Sequence, residues 1–131
     1  MHEVLHPPDW LPAKGYANGV VAEGKTVFLG GQIGWNAQQE FETDDLAGQV
    51  RQTLENIVAV LGEADATPAN LVSLTWFMTD LDEYSKRLRD IGRAYREVIG
   101  KHFPAMAVVE VRRLVEKRAK VEIQAIAVLP A

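Results

Sequence analysis

The sequence predicts a single α+β domain spanning residues 1–131, with a mixed β-sheet and two helices packed on one face. Three observations carry this reading. Apolar segments follow one another in the order β-β-α-β-α-β-β, without an internal linker, repeat or low-complexity tract. The 131 residues, 47% of them hydrophobic, suffice for one buried core, whereas two domains would each be too small without staples. Several strands are apolar on both sides, more than one helix-covered face requires.

Residues 1–14 read as an irregular lead-in, because Pro7, Pro8, Trp10 and Pro12 disfavour regular structure. Gly19-Val20-Val21-Ala22 and Lys25-Thr26-Val27-Phe28-Leu29 flank Glu23-Gly24, which predicts a hairpin. The second strand runs into Gly30-Gly31-Gln32-Ile33-Gly34, where missing side chains permit a bulge or a close backbone approach.

Leu46, Val50, Leu54, Ile57, Val58 and Leu61 recur every three or four residues and define the first helix. Thr43 or Asp44 can cap its start, and Gly62 can end it. Val72–Met78 reads as a strand. A second helix is predicted from Leu81 to Ile99, with Tyr84, Leu88, Ile91, Tyr95 and Val98 facing inwards and Gly100 as its stop. Ala105–Leu114, a charged turn at Glu116-Lys117-Arg118, and Lys120–Leu129 predict a closing hairpin. Met106, Val108, Val109, Val111, Val121, Ile123, Ile126 and Val128 put apolar groups on both sides of these strands. Helices can cover one side; a second copy of the chain is the economical cover for the other.

Composition excludes several classes of function. There is no cysteine, hence no disulfide scaffold, thiolate metal site or cysteine nucleophile. The net charge of −4 gives no drive towards nucleic acid or an anionic membrane. No apolar run reaches the roughly 18 residues of a spanning helix. The first residues lack the basic start and apolar stretch of a signal peptide, so the expected compartment is the cytoplasm.

His2-Glu3-Val4-Leu5-His6 matches H-E-x-x-H, but that zinc chemistry needs both histidines on one face of an internal helix. Pro7 biases His6 away from helical dihedrals, and no third ligand is evident, so no metal site is expected. The glycine run lacks a Gly-Lys-Ser/Thr ending and is not a phosphate loop; a structural bulge and a ligand-contacting backbone both remain open. Arg112, Arg113, Lys117, Arg118 and Lys120 are interspersed with Glu110, Glu116 and Glu122, which favours a solvated hairpin tip over nucleic acid. Trp76 and Phe77 read as core, and His102 has no local nucleophile.

Glu110 and Glu122 interrupt apolar strands, where a charge is costly unless paired or facing a wet site. A hairpin centred near Glu116 would place them opposite each other, and a close pair would raise one pKa and suit acid–base work. Glutamates bonded to backbone or arginine are the equally open alternative.

Phe103-Pro104-Ala105-Met106-Ala107-Val108-Val109-Glu110-Val111 and Val121-Glu122-Ile123-Gln124-Ala125-Ile126-Ala127-Val128 closely resemble the reactive-intermediate deaminase (Rid) superfamily. Gly30-Gly31-Gln32-Ile33, the helix opening Gln49-Val50-Arg51-Gln52-Thr53-Leu54-Glu55-Asn56 and the Phe77–Leu81 run carry the same resemblance. It implies a chorismate-mutase-like protomer and a homotrimer with small-molecule clefts between subunits, without a cofactor. In deaminating members, enamines or imines are hydrolysed to a keto acid and ammonium. Residue by residue, the resemblance places Glu122 at the water-activating glutamate and Tyr16 at the cleft tyrosine. Gly31 falls at the glycine motif, and Val108 at a backbone N–H beside the carboxylate-binding position.

At that carboxylate-binding position, the family arginine is replaced by Met106. A guanidinium grips a carboxylate with two hydrogen bonds, and a thioether donates none. The loss removes on the order of 1.5–3 kcal/mol of binding. Arg112 lies on the same strand, but six residues at about 3.4 Å each put it roughly 20 Å away. Arg113 points to the other face, leaving Arg93 and Lys14 as substitutes that sequence alone does not place. Gly92 also stands where deaminating members often carry a polar residue. The resulting expectation is an imine or enamine hydrolase with an altered substrate. The alternative is a non-catalytic metabolite-binding or regulatory trimer, or an RNA-associated one.

Overall fold

A computed structural model describes residues 2–130 of the chain; Met1 and Ala131 lie outside the described residues. Its strands are β1 (His2–Leu5), β2 (Gly19–Ala22), β3 (Lys25–Ile33), β4 (Leu71–Met78), β5 (Ala105–Glu110) and β6 (Val121–Leu129). Its helices are α1 (Leu46–Gly62), α2 (Leu81–Lys86) and α3 (Leu88–Val98), with a short 3-10 turn at Pro68–Asn70.

The mixed α+β class holds. A four-stranded sheet runs in the order β3-β6-β4-β5, with β4 and β5 parallel and β6 antiparallel to both β3 and β4. Leu74, Trp76 and Met78 of β4 and Val121, Ile123 and Ala125 of β6 pack against Leu54, Ile57 and Leu61 of α1 and Ile91 and Tyr95 of α3. Fully burying each such aliphatic side chain contributes about 1.5–3 kcal/mol, which holds the helices to this one face. The opposite face carries Phe28, Ser73, Thr75, Phe77, Val109, Gln124 and Ile126, aligned across neighbouring strands. Phe28 is 75% exposed there.

Five expectations need correction. The lead-in is not irregular throughout, because His2–Leu5 pair antiparallel with β2, in register from His2 opposite Ala22 to Leu5 opposite Gly19. That strand stops before Pro7 and Pro8, which lack the N–H a ladder needs. The first hairpin is not formed as a ladder: β2 pairs with β1, whereas β3 pairs with β6. Gly24, at φ 141°, passes so close to the chain end that a Cβ would lie 2.8 Å from the Leu129 carbonyl carbon.

The second helix is two. The Arg87 backbone leaves helical geometry at φ −108°, ψ 14°, and its side chain is pulled to Asp45 and Asp90. The start of α1 is capped one residue later than expected, by Asp45, whose carboxylate accepts from the Gly48 N–H at 3.0 Å.

The closing hairpin is also absent. β4 inserts between β5 and β6, so Glu110 and Glu122 are not opposite each other. Glu110 is in register with Met78 and Glu122 with Phe77, neighbours on β4 that point to opposite faces. Local sequence cannot distinguish a hairpin from two strands separated by a third, because the side-chain alternation is the same in both.

Candidate functional site

The expected site residues fall into two groups. Tyr16, Met106 and Val108 line one cavity of about 550 Å³ beside the sheet edge formed by β5. Met106 and Val108 are in register with Leu74 and Trp76, so their side chains point to the helix-covered face. The chain preceding β2 lies along the start of β5. Ala17 bridges Ala105, and its N–H donates to the Pro104 carbonyl at 3.0 Å, which brings Tyr16 to the cavity rim.

Gly31 and Glu122 form the second group. The β3–β6 register shifts between Leu29 and Gln32, so Gly30 and Gly31 form a bulge facing β6. A Cβ on Gly31 would lie 2.7 Å from Glu122 Cδ, which means the carboxylate rests directly over the bare glycine. Glu122 shares its face with Phe77, the side without helices. Within one protomer the two groups thus point to opposite sides of the sheet.

Glu110 has a separate position. Its Oε1 accepts from the Leu81 N–H at 3.0 Å, so it anchors the start of α2. This fits the backbone-bonded alternative rather than an acid–base pair with Glu122.

The rest of the cavity wall comes from α2, α3 and the chain after them, with Trp76 at its base. Of the residues expected to face inwards, Ile91 and Tyr95 are buried in the core and Tyr84 packs against it; with Leu88, Gly92 and Arg96 they also form one wall of the cavity. Leu88 is 50% exposed as a result. Sequence reading missed Arg96, although its spacing of four from Gly92 puts both on one helix face. Tyr95 stacks on Phe103 with ring centroids 5.5 Å apart, and its hydroxyl donates to the His102 carbonyl at 2.6 Å. His102 Nε2 in turn donates to the Leu71 carbonyl at 2.7 Å, a structural role for the third histidine. Burial pushes the phenols of Tyr84 and Tyr95 above the usual tyrosine range, so both remain neutral and neither is a base near neutral pH. The Trp76 indole N–H is buried and has no acceptor among the described residues.

Of the two residues named as alternative carboxylate-binding groups, Arg93 is tied to Asp90 at 3.7 Å and is not in the cavity wall, whereas Lys14 is. The basic stretch before β6 is partly neutralised, Arg118 by Asp44 at 2.9 Å and Lys120 by Glu83 at 3.3 Å. His2 sits in a strand with Nε2 3.3 Å from the Asn70 carbonyl, and His6 Nε2 donates to the Trp10 carbonyl at 3.1 Å. Among the described residues, no cluster of three or more histidine and acidic side chains is placed to hold a metal. No described helix is long and apolar enough to cross a membrane.

Gln49 is a further residue whose importance was not read from sequence. Fully buried on α1, it donates through Nε2 to the carbonyls of Thr43 and Arg118, and its Oε1 accepts from the Lys120 N–H at 2.8 Å. It therefore pins the chain just ahead of Glu122. Asn56 similarly donates to the carbonyls of Ile33 and Trp35 and fixes the end of β3.

Known proteins share this architecture. A RutC family protein of Haemophilus influenzae is 34% identical over 128 residues, 98% of each chain. The 2-iminobutanoate/2-iminopropanoate deaminase of Salmonella typhimurium is 34% identical over 108 residues, 80% of each chain. YyfB of Yersinia pestis, a Rid-family protein of known structure, superposes with a TM-score of 0.87 over 98% of each chain at 29% identity. Residues 8–129 match the family described as endoribonuclease L-PSP. With nearly the whole chain matched in sequence and in fold, the protein belongs to the endoribonuclease L-PSP family, the Rid superfamily.

Proposed function

We propose that the protein is a homotrimeric imine or enamine deaminase whose substrate differs from that of arginine-bearing relatives. The observation that carries this reading is the Glu122 carboxylate set against Gly31 on one face, with the Tyr16–Met106–Val108 cavity on the other. Two half-sites on opposite faces form one cleft when the β5 edge of one copy meets the helix-free face of the next. The exposed Phe28, with Ile126, Phe77 and Val109 on the same face, supplies the surface for that contact.

In the proposed reaction a protonated imine and water give a carbonyl compound and ammonium. Glu122 accepts a proton from water as its oxygen bonds to the imine carbon. Glu122 then returns that proton to the amine nitrogen; as the C–N bond breaks, the hydroxyl O–H proton passes through Glu122 to the departing ammonia, leaving a C=O bond and ammonium. Backbone N–H groups at Gly31 and Val108 hold the polar atoms of the substrate. Met106 offers the substrate apolar contact in place of a bidentate grip. The deaminase name borne by the Salmonella relative supports the reaction class.

The test is ammonium release from imines generated in place by an amino-acid oxidase, with 2-iminopropanoate compared against imines bearing larger apolar side chains. Turnover is expected to favour the larger imines and to disappear in Glu122→Gln, which still binds ligand. Equal rates for all imines would refute the altered substrate. Ligand binding with no Glu122-dependent turnover would instead establish a non-catalytic binding trimer.

A further inference from the structure

We propose that Arg96 is the anion anchor of the Met106 cavity, and that the ligand is a small monocarboxylate carrying an apolar or aromatic side chain. The proposal deepens the functional reading above and rests on the substrate occupying this cavity. Arg96 of α3 lines the same cavity as Met106 of β5. Its Nη1 lies 3.3 Å from where a Cβ on Gly92 would be, so the guanidinium lies across the bare surface of the helix. Beyond the helix's own backbone and the adjacent residues, no other group lies within 4 Å of that Cβ position. The glycine makes room for the arginine, so the two positions act as a unit.

The guanidinium is also unoccupied. Arg51, Arg87, Arg93 and Arg118 meet a carboxylate; among the described residues Arg96, like Arg89, Arg112 and Arg113, has no acidic partner, and of these four it alone lines the cavity. A cationic fork without a partner at the wall of a concave site is suited to a carboxylate, which it binds with two parallel hydrogen bonds. The remaining walls set the rest of the ligand. Trp76, Tyr84, Tyr95 and Phe103 are aromatic, Leu88 and Ile91 aliphatic, and the volume of about 550 Å³ is that of a small-molecule site. The anchor has moved from strand to helix, so the carboxylate is held at the α3 side and the apolar group lies along the β5 side by Met106.

The experiment is calorimetric titration of the assembled protein with phenylpyruvate and with phenylacetone, which lacks only the carboxylate. The wild type is expected to bind the acid at least about tenfold more tightly, as a charge-assisted pair implies, with the preference shrinking as salt rises. Arg96→Gln is expected to lose that preference while still binding the ketone, and Arg96→Gln/Met106→Arg to regain it. Lys14→Gln is expected to keep it. The proposal is overturned if neither compound binds, if the wild type does not prefer the acid, if Arg96→Gln retains the preference, or if Lys14→Gln alone abolishes it. These ketones are not turned over. An acid preference that depends on Arg96 in a protein without Glu122-dependent hydrolysis would therefore sink the deaminase reading and leave the anchor standing.

Discussion

The carboxylate of Glu122 rests where a side chain on Gly31 would be, with Glu122 Cδ 2.7 Å from that absent Cβ. The glycine is not required by positive φ, so an alanine there is compatible with the backbone. Its methyl group would displace the glutamate instead. Gly31→Ala is expected to fold with unchanged circular dichroism yet to lose about 100-fold or more in turnover, the lower range of an acid–base contribution. Turnover within a factor of two of wild type would show that the placement of Glu122 does not matter.

The helix-free face predicts a dependence of assembly on Phe28. This ring is 75% exposed on the edge strand β3 and in register with Ile126, on the face that also carries Phe77 and Val109. Phe28→Glu places a charge where the proposed contact would desolvate it, at a cost of several kcal/mol per uncompensated ion. Sedimentation is expected to show trimer for the wild type and monomer for the variant. A trimer in both would move the interface elsewhere.

Periodicity made α1 legible almost to the residue, because Leu46, Val50, Leu54, Ile57 and Leu61 form an unbroken apolar stripe and all are buried. Strand existence was legible too, but strand partnership was not. The alternation in β5 and β6 says which side chains share a face of one strand, and nothing about β4 lying between them. For that reason Glu110 and Glu122 looked like a pair and are not. Ile91 and Tyr95 were read correctly as facing inwards, but Tyr84 lies on α2 and not on the same helix; a cavity and a core present the same pattern, and only the gap at Gly92 distinguishes them.

Gln49 predicts a stability effect transmitted to the site. Replacing it with leucine leaves the Lys120 N–H and the carbonyls of Thr43 and Arg118 without their buried partner. The expected loss in urea unfolding is about 3 kcal/mol, from groups that each cost about 1–3 kcal/mol when unsatisfied. Hydrogen exchange at Lys120 should accelerate more than at residues of β3. Loss of stability without that local acceleration would remove the link between Gln49 and the chain before Glu122.

Asp45 predicts a contribution to acid sensitivity. The Arg87 guanidinium beside it, with help from the Gly48 N–H, holds its carboxyl below the ordinary value of 3.8. A carboxyl depressed in the folded state stabilises the fold above its unfolded pKa, and that contribution fades as pH falls through the folded value. Asp45→Asn keeps a capping acceptor and removes the charge. The variant should therefore be less stable than wild type at neutral pH, with the two denaturation midpoints converging below pH 3.8. A gap that persists at lower pH would mean the charge is not its source.

Gly92 predicts that stability and ligand binding move in opposite directions. The residue lies inside α3, where glycine is about 0.5–1 kcal/mol worse than alanine because of the backbone freedom it gives up. Beyond the helix's own backbone and the adjacent residues, an added methyl group meets only Arg96 Nη1 within 4 Å, at 3.3 Å, a flexible end that can move aside by a few tenths of an ångström. Gly92→Ala should thus raise the denaturation midpoint. It should also weaken binding of phenylpyruvate several-fold by shifting the guanidinium, while binding of phenylacetone changes less. A glycine kept only by tolerance would give the gain in stability with no change in either affinity. A glycine that makes room for an anion anchor gives both effects at once, and Arg96→Gln/Gly92→Ala should then show the stability gain alone.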